Sequence, residues 1–344
     1  MNLKIDNIPK NYNQIAIWGA GLTGLEVYRY FKEINTSVDF IIDSKVTANN
    51  KFDAPIISPA KLATLNLDEI YIFVSSNAYD NEIVSQIHAL GKHSGYEIFS
   101  VCPKEIHEKT KNLLQSQPNF YQPIVNLLDD TISKKTLLKI IDYRVTLNSD
   151  LIHDIHVNNQ YFQPFMKDTY DGFIDCGAYD GDTIESFVKF QNFSYKNIYA
   201  IEPDLQNVQK LKEKYPDIQT FTLAAWDKNE ILNFDLNGSA SGKVVDTSTT
   251  SNVQGDRLDN ILLSEKVDLI KMDIEGAELK ALEGCKEIIK QQQPDLAICV
   301  YHKVEDLHEI PLFIHDLNPN YTFYLRHHSR GHGETVLYAI NTTN

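Results

Sequence analysis

The 344 residues suffice for two or three domains. Against 32 basic residues stand 47 acidic ones, and the formal net charge of -15 repels phosphate backbones, so no nucleic-acid partner is expected. No apolar run approaches membrane-spanning length, the first residues are polar and read as carrying no leader, and Cys102, Cys176, Cys285 and Cys299 form no close pair. These features suggest a cytoplasmic protein with reduced thiols.

In chain order, an apolar strand over residues 15–18 enters Gly19-x-Gly21-x-x-Gly24 and opens a helix through about Lys32. A second strand, Val38 to Ile42, ends at Asp43. Glycine turn, helix N-terminus and following acidic residue form the dinucleotide-type pattern, in which the acid suits a ribose diol. Pro55, Ser58 and Pro59 mark a loop, and strands Ile70 to Val74 and Tyr96 to Val101 flank a helix from about Asp80 to Leu90. Residues 1–103 therefore read as a small Rossmann-like domain of the nucleotide or nucleotide-sugar type, with candidate site residues Gly19, Gly21, Gly24 and Asp43. The same glycines equally serve close helix–strand packing. Residues 104–165 read as a mainly helical connector that packs the domains or forms a homo-oligomer face.

From 166 to 344 strand and helix alternate again. The strand Gly172 to Cys176 runs into Gly177-Ala178-Tyr179-Asp180-Gly181-Asp182-Thr183, and Asp182 or Thr183 is expected to cap the next helix. This turn carries Asp175, Asp180 and Asp182 and no lysine, unlike phosphate-cradling turns. It favours a cationic, hydroxyl-rich ligand, and S-adenosylmethionine fits. The next strand, Asn197 to Ile201, ends at Glu202-Pro203, an acidic position suited to ribose hydroxyls. A strand from Ile218 to Ala225 leads to Trp226, and a further strand is expected from Glu230 to Leu236. A Ser/Gly-rich stretch from Gly238 to Ser251 reads as a mobile loop. A strand from Val267 to Ile274 carries Asp273, and Glu275 to Glu278 open a helix to Lys290. Strand Leu296 to Val300 ends at Tyr301-His302, and strands Tyr321 to Arg326 and Thr335 to Ile340 suggest a closing antiparallel hairpin. The fold class is α/β, with two Rossmann-like domains.

Residues 174–183, 201–204, 268–278 and Tyr301-His302-Lys303 with Asp306-Leu307 resemble the FkbM-type methyltransferases over about half the chain. The turn departs from the general methyltransferase pattern by placing Tyr179 and Asp180 where a glycine often sits. The resemblance implies a class I methyltransferase sheet over 166–344, S-adenosylmethionine as donor and a hydroxyl acceptor. More distantly, the N-terminal half resembles domains attached to bacterial sugar-modifying transferases, which implies a small-molecule or glycan acceptor and a place in glycan biosynthesis.

The donor-site candidates are Asp175, Gly177, Ala178, Tyr179, Asp180, Thr183, Glu202, Pro203, Ala225, Trp226 and Asp273. Methyl transfer to an alcohol requires removal of the hydroxyl proton, and neutral His302 at the end of its strand is the candidate base, with Asp273 beside it. Asp273, His302 and a loop histidine such as His328 are also candidate ligands for a divalent metal. Two other functions fit parts of the chain: a nicotinamide- or nucleotide-sugar-dependent enzyme centred on the N-terminal glycine loop, and a non-catalytic nucleotide-binding scaffold. The first leaves the C-terminal half idle and lacks a hydride-transfer set.

Overall fold

The computed structural model describes residues 12–45, 51–75, 79–99, 102–235, 243–245 and 251–342. The chain divides into two compact units, one of residues 1–111, 139–156 and 329–333, the other of residues 112–138, 157–328 and 334–344.

In the first unit, strands β1 (Gln14–Trp18), β2 (Phe40–Ile42), β3 (Ile56–Ile57), β4 (Ile70–Val74) and β5 (Tyr96–Ile98) form a parallel sheet in the order β3-β2-β1-β4-β5. Strands of such sheets are apolar on both faces, because helices cover both. Accordingly Trp18 and Ile42 enter one apolar cluster while their neighbours Ile17 and Ile41 enter another. Helices α1 (Leu22–Glu33), α2 (Pro59–Leu62) and α3 (Asp80–Ala89) connect the strands. The stretch around Pro55 and Ser58, expected as loop, holds the two-residue β3.

Helices α4 (Lys104–Ser116), α5 (Gln122–Leu127), α6 (Thr131–Thr146) and α7 (Asp150–His153) follow. None of the helices among the described residues is long and apolar enough to cross a membrane.

The second unit contains β6 (Gly172–Cys176), α8 (Asp182–Phe190), β7 (Asn197–Ile201), α9 (Leu205–Lys214), β8 (Gln219–Phe221) and β9 (Ala224–Ala225). It continues with β10 (Glu230–Asp235), β11 (Lys243–Val244), β12 (Ser251–Asp256), α10 (Leu258–Leu262) and β13 (Leu269–Met272). It closes with α11 (Glu278–Glu283), α12 (Lys286–Gln292), β14 (Asp295–Cys299), α13 (Asp306–Leu317), β15 (Tyr321–His327) and β16 (Thr335–Asn341). The main sheet is ordered β15-β16-β14-β13-β6-β7-β8. Only β16 runs antiparallel to its two neighbours, so a parallel-dominated sheet ends in the expected hairpin. Strand order reverses between β6 and β13, and the crevice beyond their carboxyl ends is where open α/β sheets bind ligands.

Local expectations change in three places. The run from Ile218 to Ala225 splits, with β8 in the main sheet and β9 in a second sheet ordered β11-β10-β12-β9. The helix expected from Glu275 to Lys290 is two helices meeting at Gly284, where a Cβ would lie 1.8 Å from the Trp226 carbonyl oxygen. Gly181, at φ +83°, caps α8, while Asp182 is the first helical residue and accepts from the Thr183 amide at 2.6 Å. The loop expected from Gly238 to Ser251 lies largely outside the described residues.

Candidate functional site

Strand β6 ends in a turn that only glycine can begin. Gly177 has φ +77°, and a Cβ there would lie 2.0 Å from the Asp273 carbonyl oxygen. Two residues on, Tyr179 takes φ +45°, so the left-handed backbone is kept where a glycine often sits. The Tyr179 amide is held by the Glu202 carboxylate at 3.0 Å. The other oxygen of Glu202 accepts from the Asp204 amide at 2.9 Å. Glu202 thus ties the β6 turn to the β7 turn and retains lone pairs for a further donor. Burial pushes its carboxyl above the ordinary range.

Asp175 points into the sheet. It is fully buried, with its carboxylate 2.9 Å from the ammonium of Lys271 on β13. Burial pushes Asp175 up to about 6 against the pull of Lys271. Burial opposes the charge on Lys271, yet Asp175 and Asp273 outweigh it and raise its pKa. Lys271 also donates to the Gly177 carbonyl at 2.9 Å. Asp175, expected at the donor site, pairs with this lysine and does not line the cleft.

Beside this pair lies a cleft lined by Gly177, Glu202, Pro203, Ala225 and Asp273 among the expected residues. Leu223, Phe234, Val244, Ile274 and Ala277 add an apolar wall. The other donor candidates lie off the cleft lining. Ala178 and Thr183 are buried, Asp180 is exposed, and Trp226 is half-buried and donates to Glu230 at 2.8 Å.

Asp273 links the cleft to a cluster of polar groups. Its carboxylate accepts from the Tyr161 hydroxyl at 2.9 Å and the Tyr301 hydroxyl at 3.1 Å. Burial pushes Asp273 up, but His302 and Lys271 outweigh it and hold the carboxyl below the usual range. His302 lies 3.0 Å from Glu278, 3.5 Å from Asp273 and 3.7 Å from Glu275. Burial pulls the imidazole down, yet the carboxylates, Glu278 foremost, push it up to about 10. His302 is the expected base, and the carboxylates around it favour its protonated form, which works against that role. His328, another expected ligand, instead has one ring nitrogen 3.0 Å from the Val157 carbonyl and the other 2.9 Å from the Tyr338 hydroxyl. Glu278 stands beside Asp273 and His302 instead.

Sequence reasoning did not single out Lys271, Tyr161 and Glu334, and it left Glu278 evenly divided between opening its helix and contacting a ligand. The Glu278 side chain is fully buried and accepts from the Ile274 amide at 2.9 Å. Burial and then the charge of Asp273 push Glu334 up to about 7. An acid on the first turn of a helix and a hairpin acid carry no local pattern that distinguishes them from solvated residues; a lysine inside the apolar strand Leu269–Met272 was the one available signal.

In the first unit, Gly19 and Gly24 are explained by packing. A Cβ at Gly24 would lie 1.7 Å from the Gly19 carbonyl oxygen, and one at Gly19 2.5 Å from that of Ser75. Gly21 caps α1. Asp43 accepts from the Ala20 amide at 2.9 Å and the Lys45 amide at 2.8 Å. A carboxylate of the chain itself therefore occupies a loop donor that a phosphate would use.

No curated protein matches the chain. Among solved structures, methyltransferase FkbM from Methylobacillus flagellatus KT is similar in fold over 96% of this chain and 94% of its own, at TM-score 0.64 and 21% identity. Aeropyrum pernix fibrillarin in complex with natively bound S-adenosyl-L-methionine aligns with 58% of this chain and 75% of its own, at TM-score 0.35 and 13% identity. A putative caffeoyl-CoA O-methyltransferase from Staphylococcus aureus aligns with 68% and 98%, at TM-score 0.31 and 10% identity. Likenesses as slight as these last two carry no conclusion. Every residue lining the cleft falls within residues 175–323, the stretch that matches the family model of the methyltransferase FkbM domain.

Proposed function

We propose that the protein transfers a methyl group from S-adenosylmethionine to a hydroxyl of a sugar, a glycan precursor or another small polar metabolite. The observation that carries this reading is the convergence of the Gly177 turn, Glu202 and Asp273 on one cleft at the strand-order reversal, inside the stretch matching a methyltransferase domain. The donor is a cation with a ribose and no phosphate, which suits a cleft that presents carboxylates and no lysine among its lining residues. Glu202 would accept the ribose hydroxyls, and the wall of Leu223, Ala225 and Phe234 would take the adenine face. In the reaction, a lone pair of the acceptor oxygen forms the new C–O bond. The S–CH₃ bond breaks with its electron pair moving to sulfur, and the hydroxyl proton passes to water. The donor must be held in line with that oxygen, and Asp273 at the cleft edge is placed to orient an acceptor hydroxyl.

The test of donor binding is calorimetry on Glu202→Gln. The amide retains a carbonyl oxygen for one backbone contact but loses the charge-assisted acceptor. Loss of a hydrogen bond to a charged group costs roughly 1.5–3 kcal/mol, so donor affinity should fall about tenfold or more. An unchanged affinity in a folded variant would remove Glu202 from the donor site.

A nucleotide or nucleotide-sugar at Gly19, Gly21, Gly24 and Asp43 is a separate proposal, supported by the glycine loop opening α1. It requires Asp43 to yield the Ala20 amide or to meet the ribose while holding it.

A further inference from the structure

We propose that Asp273, Glu278 and His302 form a binding site for one divalent cation of the Mn²⁺ or Zn²⁺ class on the acceptor side of the cleft. The proposal rests on the methyltransferase reading for its purpose, not for its geometry. One donor atom from each residue lies within 4.8 Å of the others. The His302 side chain is 9% exposed, and neither of its ring nitrogens is aligned for a hydrogen bond, although Glu278 lies close to one of them. One faces Glu278 at 3.0 Å, and the other faces Asp273 at 3.5 Å and Glu275 at 3.7 Å. The latter separations are long for hydrogen bonds. An ion would take one of the two nitrogens; ligands at metal–ligand distances of about 2.1 Å stand roughly 3 Å apart, inside the 4.8 Å that bounds the donor atoms of Asp273, Glu278 and His302.

The carboxylates are oriented as ligands are. The Tyr161 and Tyr301 hydroxyls hold Asp273, and the Ile274 amide holds one oxygen of Glu278. Such outer contacts fix the direction of metal-binding side chains. The second oxygen of Glu278 is buried without a hydrogen bond. Leaving a buried carboxylate oxygen unmatched is costly, and a cation supplies the missing partner. Charge balances as well: two carboxylates and a neutral imidazole neutralise a divalent ion. One nitrogen among oxygen donors suits Mn²⁺ or Zn²⁺ better than Mg²⁺ or Ca²⁺. Because Asp273 also lines the cleft, the acceptor class this favours is one with a hydroxyl oxygen to place on the ion.

The test uses the full-length protein, stripped with a chelator and titrated with Mn²⁺ by paramagnetic resonance and with Zn²⁺ by calorimetry, without S-adenosylmethionine. One equivalent should bind, and Glu278→Gln and His302→Asn should each weaken binding about tenfold or more, with folding checked by near-UV circular dichroism. Failure of both ions to bind, or equal affinity in folded variants, would overturn the site. Should the variants not fold, X-ray absorption of the zinc-loaded wild type decides, since the proposal requires imidazole scattering and its absence contradicts it. Donor titration of the same stripped sample keeps the two proposals apart. Donor binding without cation binding sinks only this site, and cation binding without donor binding sinks only the methyltransferase reading.

Discussion

Lys271 shows how a single residue can set a turn it does not belong to. It is nearly fully buried on β13, paired with Asp175 on β6 and donating to the Gly177 carbonyl. Removing one partner of a buried pair leaves an uncompensated charge, which costs about 3–5 kcal/mol. Lys271→Met should therefore destabilise the protein by that order, and the double variant Asp175→Asn/Lys271→Met should recover part of the loss. Urea unfolding of the three proteins measures this; a Lys271→Met variant as stable as wild type would show that the pair is not a structural tie. The sequence shows both residues as anomalies in apolar strands, but not that they face each other, because they stand 96 positions apart and meet only through strand pairing. Glu202 was readable for the opposite reason. Its place at the end of the strand after the glycine turn follows from the βαβ repeat itself.

At the scale of elements, long regular strands and helices are legible and short ones are not. The limits of β6 and β7 are those expected from the sequence, residue for residue. Strand β12, Ser-Asn-Val-Gln-Gly-Asp, has almost no strand propensity and exists because β10 pairs with it. With it goes the small sheet that brings Phe234 and Val244 to the cleft, so the apolar wall was not readable. Helix α6 shows the same dependence on distant partners. Asp130, just before it, accepts from the Ser133 amide at 2.7 Å and pairs with Arg326 on β15, while Arg326 stacks over Phe165 and Tyr324. Burial raises the Asp130 carboxyl, but Arg326 and Ser133 outweigh it and hold it below its ordinary value. A depressed folded pKa contributes stability above the unfolded pKa of about 3.9, and that contribution is lost as pH falls through the folded value. Wild type should accordingly exceed Asp130→Asn in stability at neutral pH, with the gap closing below about pH 4. Denaturation of both proteins across that range reads the effect, and a gap independent of pH would assign the difference to packing.

For the whole molecule, the alternation of strand and helix was enough to read two parallel sheets and a closing hairpin, since few topologies suit that order of elements. The assignment of residues 139–156 and 329–333 to the unit of the first sheet was not readable, because it depends on contacts between segments far apart in sequence. The same holds for the chemistry. The acidic strand ends pointed to one cleft, whereas the protonation of His302 depends on Glu278, Asp273 and Glu275, which only the folded unit gathers around it. The central claim is that the cleft of the second unit binds S-adenosylmethionine. Calorimetric titration of the full-length protein, first with S-adenosylmethionine and separately with NAD, tests it most directly. The account predicts one equivalent of S-adenosylmethionine bound and displaced by S-adenosylhomocysteine, and binding of NAD with no binding of S-adenosylmethionine would contradict it.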